Sequence, residues 1–152
     1  MTQEVEILLV DDNASDVELT IRALRRHKLA NNIHVAEDGQ DAVDFVFCRG
    51  AYAGRSPFSQ PRVILLDLKM PRLDGIEVLR AIRADPLTRA IPVVILTSSK
   101  EQRDIVEGYR LGVNAYIQKP VDFDEFRKVI EHIGMFWLVV NQAPPPEAFG
   151  AS

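Results

Sequence analysis

The chain has 152 residues, a formal net charge of −4 and a pI near 5.4. A chain of this length can bury the core of one domain. The acidic balance provides no basic surface for nucleic acid, and no apolar run approaches the roughly 20 residues of a membrane-spanning helix. We therefore predict one soluble domain that binds neither nucleic acid nor a membrane. The single cysteine, Cys48, and the lack of a secretory signal at the start indicate the reducing cytoplasm.

The first half of the chain alternates short apolar strands with amphipathic helices. A strand is predicted over residues 5–10, where it ends at the pair Asp11-Asp12. The next helix begins after Asn13 and ends in the basic run at residues 25–28, which suits a helix C-terminus. A strand over residues 33–36, a helix from Ala42 to near Gly50 that includes Cys48, and a long surface loop over residues 50–61 follow.

The second half contains two runs of four apolar residues led by β-branched side chains, which predict central strands covered on both faces. These runs are residues 63–66, followed by Asp67, and residues 93–96, followed by Thr97. The remaining predictions are a helix capped by Asp74 and Glu77, a helix boxed by Ser99 and Gln102 that closes at Leu111-Gly112, a strand over residues 113–117, and a helix begun by Asp122 with Phe123, Phe126, Val129, Ile130 and Ile133 facing inward. Five β/α repeats predict a doubly wound α/β sheet.

The end of the chain departs from this pattern. An apolar run is followed by prolines at positions 144–146, which stop any regular element. One face of a terminal helix cannot bury the whole run within its own domain, so we favour a partner surface over an ordinary packed C-terminus. The residues of this run are Phe136, Trp137, Leu138, Val139 and Val140.

Three carboxylates, a hydroxyl and an ammonium are predicted to meet at the carboxyl end of the sheet. Asp11 and Asp12 follow the first strand, Asp67 follows the third, Thr97 ends the fourth, and Lys119 follows the fifth. Three like charges raise one another's pKa unless a cation lies among them. A divalent ion together with Lys119 balances the three carboxylates, and hard oxygen ligands favour Mg²⁺, with Mn²⁺ as a substitute.

This arrangement suits phosphoryl transfer onto a carboxylate. Asp67 can act as the nucleophile because an ionised carboxylate has no proton to lose, and a metal with Lys119 neutralises the incoming phosphoryl oxygens. No catalytic histidine is required, so the three histidines are predicted to lie at the surface. Taken alone, Asp67 could equally be an Asp that begins a turn. The histidines are His27, His34 and His132.

The segments around these residues resemble, in order and spacing, the receiver domain of two-component response regulators. The segments are Leu8-Leu9-Val10-Asp11-Asp12-Asn13, Leu66-Asp67-Leu68-Lys69-Met70-Pro71-Arg72-Leu73-Asp74-Gly75, Leu96-Thr97-Ser98 and Tyr116-Ile117-Gln118-Lys119-Pro120. The resemblance covers residues 5 to about 135. It implies a flavodoxin-like, three-layer α/β/α fold with strand order 2-1-3-4-5, a receiver domain over residues 1–135 and a C-terminal extension.

The resemblance also implies which residues accept the phosphoryl group and hold the metal. Asp67 would take the phosphoryl group from the phosphohistidine of a sensor kinase. Asp12 and Asp67 would bind Mg²⁺ directly, together with the backbone carbonyl of Lys69, and Asp11 would act through water.

A conformational switch is implied as well. Thr97 and Lys119 would hold phosphoryl oxygens, and Thr97 would couple to Tyr116, which then turns inward. Taken alone, Tyr116 is better interpreted as a side chain on an edge strand with its hydroxyl in water. Lys69 and Ser99 occupy positions that in the family tune the lifetime of the phosphate. The Lys119-Pro120 bond is expected to be cis.

A narrower resemblance is to the single-domain regulators that pair with bacterial phytochrome kinases. It rests on Phe47-Cys48-Arg49-Gly50-Ala51-Tyr52, the loop after it, Tyr109-Arg110-Leu111-Gly112-Val113-Asn114-Ala115-Tyr116, and the Phe136-Trp137 tail. It implies a phytochrome-type histidine kinase as partner, no output domain, and a homodimer held by an arm at residues 136–152. Signalling would use protein contacts or onward phosphotransfer, and catalysis would be limited to the chain's own phosphorylation and dephosphorylation. The basic run at residues 25–28 would dock an acidic kinase surface or simply end its helix.

Two other functions compete with this hypothesis. A metal-dependent phosphatase with an aspartyl nucleophile typically carries a second acid two residues later, where this chain has Lys69. A phosphate-independent, receiver-like binding module is the main alternative. The presence of every acceptor-site residue argues against it.

Overall fold

The computed structural model describes residues 5–26, 28–30 and 32–151, and in this part five parallel strands form one sheet in the order β2-β1-β3-β4-β5. The strands are β1 (Ile7–Val10), β2 (Ile33–Ala36), β3 (Val63–Leu66), β4 (Val93–Thr97) and β5 (Ala115–Gln118). The helices are α1 (Ala14–Arg26), α2 (Gly39–Val46), α3 (Gly75–Ala84), α4 (Gln102–Arg110) and α5 (Phe123–Gly134). The predicted doubly wound order is confirmed.

The register of the central strands sets the position of the acidic residues. Val10 of β1 lies opposite Leu66 of β3, so Asp11 and Asp67, one residue further on, leave the sheet side by side. The amide of Asp67 donates to the Val10 carbonyl at 2.9 Å, which continues the ladder by one bond. Both carboxylates are therefore fixed by the backbone of the sheet.

Apolar side chains cover both faces of the sheet, as the uninterrupted apolar strands predict. One core lies between the sheet and α1 and α5, and the other between the sheet and α2 and α3. Alternate strand residues enter the two cores: Ile7, Leu9, Val63 and Leu65 on the first face, and Leu8, Val10, Ile64 and Leu66 on the second.

Three local predictions are wrong. Helix α2 ends at Val46, and Cys48 lies beyond it with a φ of 56°, because its amide turns back to the Phe45 carbonyl. Strand β5 begins two residues late, because the side chain and amide of Asn114 bond to the backbone of Val93 and close the preceding loop. Phe123 is 65% exposed, because it lies in the first turn of α5, which is exposed throughout, and the buried face of the helix begins at Phe126.

His34 is half-buried and not exposed as predicted, because the turn at Gly50–Tyr52 covers the edge strand β2. Its ring stacks on Phe45 with centroids 4.6 Å apart, and its Nε2 lies 3.0 Å from the Tyr52 hydroxyl. Burial lowers the pKa of the imidazole. His132 is exposed, and His27 lies outside the described residues.

The C-terminal tail folds onto its own domain at two points. Leu138, within the π-helical turn Met135–Val140, is buried in the α1/α5 core, and its carbonyl accepts a 2.9 Å bond from Arg62, just before β3. Phe149, 3% exposed, joins the core on the opposite face. Other apolar residues of the turn stay exposed: Met135, Phe136, Val139 and Val140. Among the described helices, none has the length and apolarity to cross a membrane.

Candidate functional site

Three carboxylates meet at the carboxyl end of the sheet. Oxygens of Asp11, Asp12 and Asp67 all lie within 4.8 Å of one another. Asp11 is 4% exposed and Asp67 7% exposed, whereas Asp12 faces solvent. The sequence placed all three residues here correctly, because each follows a central strand.

Lys119 is buried among these carboxylates. Its Nζ lies 2.8 Å from Asp11, 2.9 Å from Asp16 and 3.2 Å from Asp67. Burial alone would lower the pKa of the ammonium, but its hydrogen bonds with Asp11 and Asp16 outweigh that effect and raise the pKa. The ammonium is therefore charged throughout the physiological range.

Asp16 is a site residue that the sequence did not reveal. Its amide donates to the Asn13 side chain at 3.0 Å, a bond that caps the first turn of α1 and turns the Asp16 carboxylate toward Lys119. The i to i+3 spacing from Asn13 predicted the helix start. No sequence signal connected Asp16 to Lys119, which lies 103 positions away.

Among the described residues, the side chains of this cluster carry more negative than positive charge. Three carboxylates, of Asp11, Asp16 and Asp67, pair with the ammonium of Lys119, and the Asp12 carboxylate lies within 4.8 Å of those of Asp11 and Asp67. Burial raises the pKa of the Asp11 carboxyl, although the bonds from Lys119 and the Asn13 amide act in the opposite direction. This excess of negatively charged oxygen donors fits a hard divalent cation.

Thr97 and Tyr116 lie beside this cluster on β4 and β5. The Thr97 carbonyl accepts a 2.7 Å bond from the Lys119 amide, and its hydroxyl accepts one from the Ser99 amide at 3.3 Å. Tyr116 is half-buried, and its hydroxyl donates to the Ser99 carbonyl at 2.9 Å. The interpretation of Tyr116 as a side chain with its hydroxyl in water is therefore wrong. Burial raises the pKa of the Tyr116 phenol.

The Lys119–Pro120 peptide bond is trans, as are all others among the described residues, so the expected cis bond is wrong. For an X–Pro bond trans is the lower-energy isomer. Lys119 is buried among the carboxylates while its bond to Pro120 is trans.

Gly75 allows helix α3 to pack closely against the backbone at Asp67. A Cβ there would lie 2.2 Å from the carbonyl oxygen of Asp67 and 2.7 Å from the Cα of Leu68. Helix α3 therefore begins in contact with the backbone that carries Asp67, with the Asp74 side chain capping it through the Glu77 amide at 3.0 Å. Only glycine allows this approach.

Ser99 does not box α4 as predicted. Its hydroxyl instead donates to Oδ2 of Asp104 at 2.6 Å, and the same oxygen lies 3.4 Å from Nζ of Lys69. Helix α4 begins after Glu101, which makes no side-chain cap bond. Asp104 was missed because its spacing from Ser99 matches no capping pattern.

Comparison with known proteins identifies the family. The response regulator receiver domain matches residues 7–131. Response regulator Rcp1 from Synechocystis sp. is 37% identical over 138 residues, or 91% of this chain and 92% of Rcp1. The structure of Rcp1 in its Mn²⁺-bound form superposes with a TM-score of 0.86 at 34% identity, covering 93% of this chain and 99% of that chain.

Two further structures come from phytochrome systems. The phosphorylated cyanobacterial phytochrome response regulator RcpA gives a TM-score of 0.86 at 36% identity, covering 93% of this chain and 99% of RcpA. The bacteriophytochrome response regulator AtBRR is 48% identical with a TM-score of 0.71, covering 93% of this chain and 100% of AtBRR. Sequence, fold and the position of the acidic cluster agree, and the chain belongs to the response regulator receiver family.

Proposed function

We propose that this response regulator accepts a phosphoryl group on Asp67 from a sensor histidine kinase, in a reaction that requires Mg²⁺. The observation that carries the proposal is the position of the Asp67 carboxylate, directly after the central strand β3 and within reach of two further carboxylates and Lys119. Transfer would break the P–N bond of a phosphohistidine, return its electron pair to the imidazole, and form a P–O bond to Asp67. An ionised carboxylate needs no base.

The residues of the cluster would have separate roles in binding the metal and the phosphoryl group. Asp12 and Asp67 would hold Mg²⁺ with the Lys69 carbonyl, and Asp11 would act through water. When bound, the ion supplies positive charge against the phosphoryl oxygens. Lys119 would release a carboxylate and bind a phosphoryl oxygen, because the incoming group offers its ammonium a stronger partner. Mn²⁺ could substitute, since the related Rcp1 has a Mn²⁺-bound form.

Thr97 would complete the switch. Its hydroxyl, which accepts a bond from the Ser99 amide at 3.3 Å, would turn to a phosphoryl oxygen, and the contacts of Tyr116 would change with it. The changed surface of α4, β5 and α5 would then pass the signal on by protein contacts or by onward phosphotransfer.

The kinase is proposed to be of the phytochrome type, because RcpA is a cyanobacterial phytochrome response regulator and AtBRR is a bacteriophytochrome response regulator. A groove between α1 and α5, lined by apolar residues including Leu19 and Phe123, by four arginines and by one acid, Asp124, would receive an acidic amphipathic helix of that kinase. The arginines are Arg22, Arg25, Arg26 and Arg127. A cytoplasmic location follows from this partner and is part of the proposal.

A homodimer through residues 136–152, outside a receiver at residues 1–135, is proposed on the exposed apolar side chains of the tail. Leu138 is buried in its own domain, which leaves Phe136, Val139, Val140 and the half-buried Trp137 for a partner. Truncation after Ile133 would also remove buried Leu138 and Phe149, so the sharper test is Val139→Ser with Val140→Ser. Sizing should show a monomer that still accepts phosphate, and an unchanged dimer would contradict the arm.

The kinase assignment is tested by phosphotransfer. A phytochrome-type kinase is labelled with ATP and mixed with the chain or with Asp67→Asn, with and without Mg²⁺. We expect transfer only to the unmodified chain with Mg²⁺. Labelling by a small phosphodonor but not by the kinase would remove the phytochrome assignment. Labelling from neither source would favour the phosphate-independent binding module.

A further inference from the structure

Helix α4, which the structure describes throughout, buries little apolar surface. Its two buried residues are Asp104 and Gly108, so it places no large apolar side chain fully in the core. By contrast, α3 buries Val78, Leu79 and Ile82. The close approach of Gly108 to Ile95 and Tyr116 is one buried attachment of α4, and the Asp104 carboxylate is another.

Asp104 connects α4 to the two loops that flank the phosphorylation site. Its Oδ2 accepts the 2.6 Å bond from the Ser99 hydroxyl and lies 3.4 Å from the Lys69 ammonium. Lys69 comes two residues after Asp67, and Ser99 comes two residues after Thr97. A single carboxylate oxygen therefore contacts both loops.

We propose that Asp104 is a positioning residue that ties the loops carrying Lys69 and Ser99 to α4, so that a change at Asp67 and Thr97 moves this helix. The inference rests on the proposed function, since it takes Asp67 as the phosphoryl acceptor. It adds a second connection to the Thr97 and Tyr116 pair.

The contacts indicate how the connection operates. When the Thr97 hydroxyl turns to a phosphoryl oxygen, it gives up its 3.3 Å bond from the Ser99 amide. Ser99 remains held by Asp104 through its hydroxyl, while the bond from the Tyr116 hydroxyl to its carbonyl changes with the switch. Movement of this loop is therefore transmitted to the first turn of α4.

The two contacts of Asp104 differ in strength. Asp104 is 9% exposed, and a short hydrogen bond to a buried carboxylate is costly to lose. The Lys69 side chain is 56% exposed, so solvent screens its ion pair. We expect the Ser99 bond to carry most of the connection, with Lys69 adding a smaller part.

The test is amide hydrogen exchange of residues 102–110 in the full chain, with and without Mg²⁺ and beryllofluoride, a phosphoryl mimic. Binding of the mimic is followed separately by fluorine NMR. In Asp104→Ala and Ser99→Ala the change in exchange caused by the mimic should shrink on the order of tenfold. Asp104→Asn, whose amide oxygen can accept the Ser99 bond, should keep most of the change.

A matched control is Glu107→Ala, which removes another α4 carboxylate, one paired with Arg80 at 3.2 Å on the surface. It should leave the change intact. A purely structural role for Asp104 would alter exchange equally with and without the mimic, and that result would overturn the inference. So would a full response in Ser99→Ala, which decides the question if Asp104→Ala does not fold. Failure of the unmodified chain to bind the mimic would instead refute the proposed function.

Discussion

Replacing Asp67 by Asn should stabilise the metal-free protein while it removes the acceptor. At an effective dielectric constant near 20, the repulsion of Asp67 by Asp11 and by Asp12, at no more than 4.8 Å, is about 3.5 kcal/mol each. The attraction of Asp67 to Lys119 at 3.2 Å is about 5 kcal/mol. The remaining repulsion is about 2 kcal/mol, and solvent at the exposed Asp12 reduces it further.

We therefore expect Asp67→Asn to raise the free energy of unfolding by about 1 to 2 kcal/mol in a chelator at low salt, or Tm by about 2 to 8 °C. Higher salt should diminish the gain. Mg²⁺ at a hundred times its Kd should stabilise the unmodified chain by about 2.7 kcal/mol and the variant much less. Urea and thermal unfolding measure both effects.

The matched control is Asp124→Asn, which removes an exposed carboxylate far less crowded by like charges. Its effect should stay within about 0.5 kcal/mol. Two results would refute the electrostatic reasoning. One is a metal-free Asp67→Asn that is less stable than the unmodified chain, and the other is equal stabilisation of both by Mg²⁺.

Three further predictions concern stability. Gly75→Ala forces a Cβ within 2.2 Å of the Asp67 carbonyl oxygen and should lower the free energy of unfolding, measured in urea, by about 2 kcal/mol or more. Gly54→Ala, in open space, should lower it little, and equal losses would contradict the close approach at Gly75. Phe149→Ala should lose about 3 kcal/mol and the exposed Val140→Ala less than about 0.5, and a small loss at Phe149 would show that the tail does not pack on its own domain. Burial lowers the pKa of His34 below 6.5 in the folded chain, so the unfolded chain binds more protons and the free energy of unfolding rises with pH. The contribution of His34 to stability is complete above pH 6.5 and is lost as the pH falls through the folded pKa. Urea unfolding over this range should show the slope in the unmodified chain and not in His34→Gln, and NMR titration should give the lowered pKa.

The sequence predicts the sheet and the central carboxylates well, for a physical reason. Apolar runs such as residues 63–66 can be covered only inside a sheet with helices on both faces. Parallel strands then bring their carboxyl ends to one edge, so that Asp11 and Asp67 must be neighbours once β1 and β3 pair. Local pattern and topology together determine this part of the site.

Contacts between side chains distant in the chain could not be predicted in this way. Asp16 and Asp104 lie in first turns of helices, where an acidic residue is already explained by the helix dipole. Their partners, Lys119 and Lys69, are on other elements. Ser99 shows the same limit, because a serine before a helix suggests a cap whether or not its hydroxyl has another partner.

Burial decided the other differences. His34 was assigned to the surface from its type, but the loop that carries Tyr52 covers the edge strand. The whole apolar run at residues 136–140 was interpreted as a partner surface, yet Leu138 of that run packs into one core and Phe149, further along the tail, packs into the other. Both outcomes depend on where an irregular segment packs, which hydrophobic periodicity does not report.

The central claim is that Asp67 is the phosphoryl acceptor. Incubation of the chain with a small phosphodonor and Mg²⁺, followed by intact-mass measurement and peptide mapping, tests this directly. We predict one phosphoryl group per chain, on Asp67, which is lost with a chelator or in Asp67→Asn and kept in Asp74→Asn, where the new side chain can still cap α3. A phosphoryl group on any other residue, labelling that survives Asp67→Asn, or no labelling of the unmodified chain would contradict the claim.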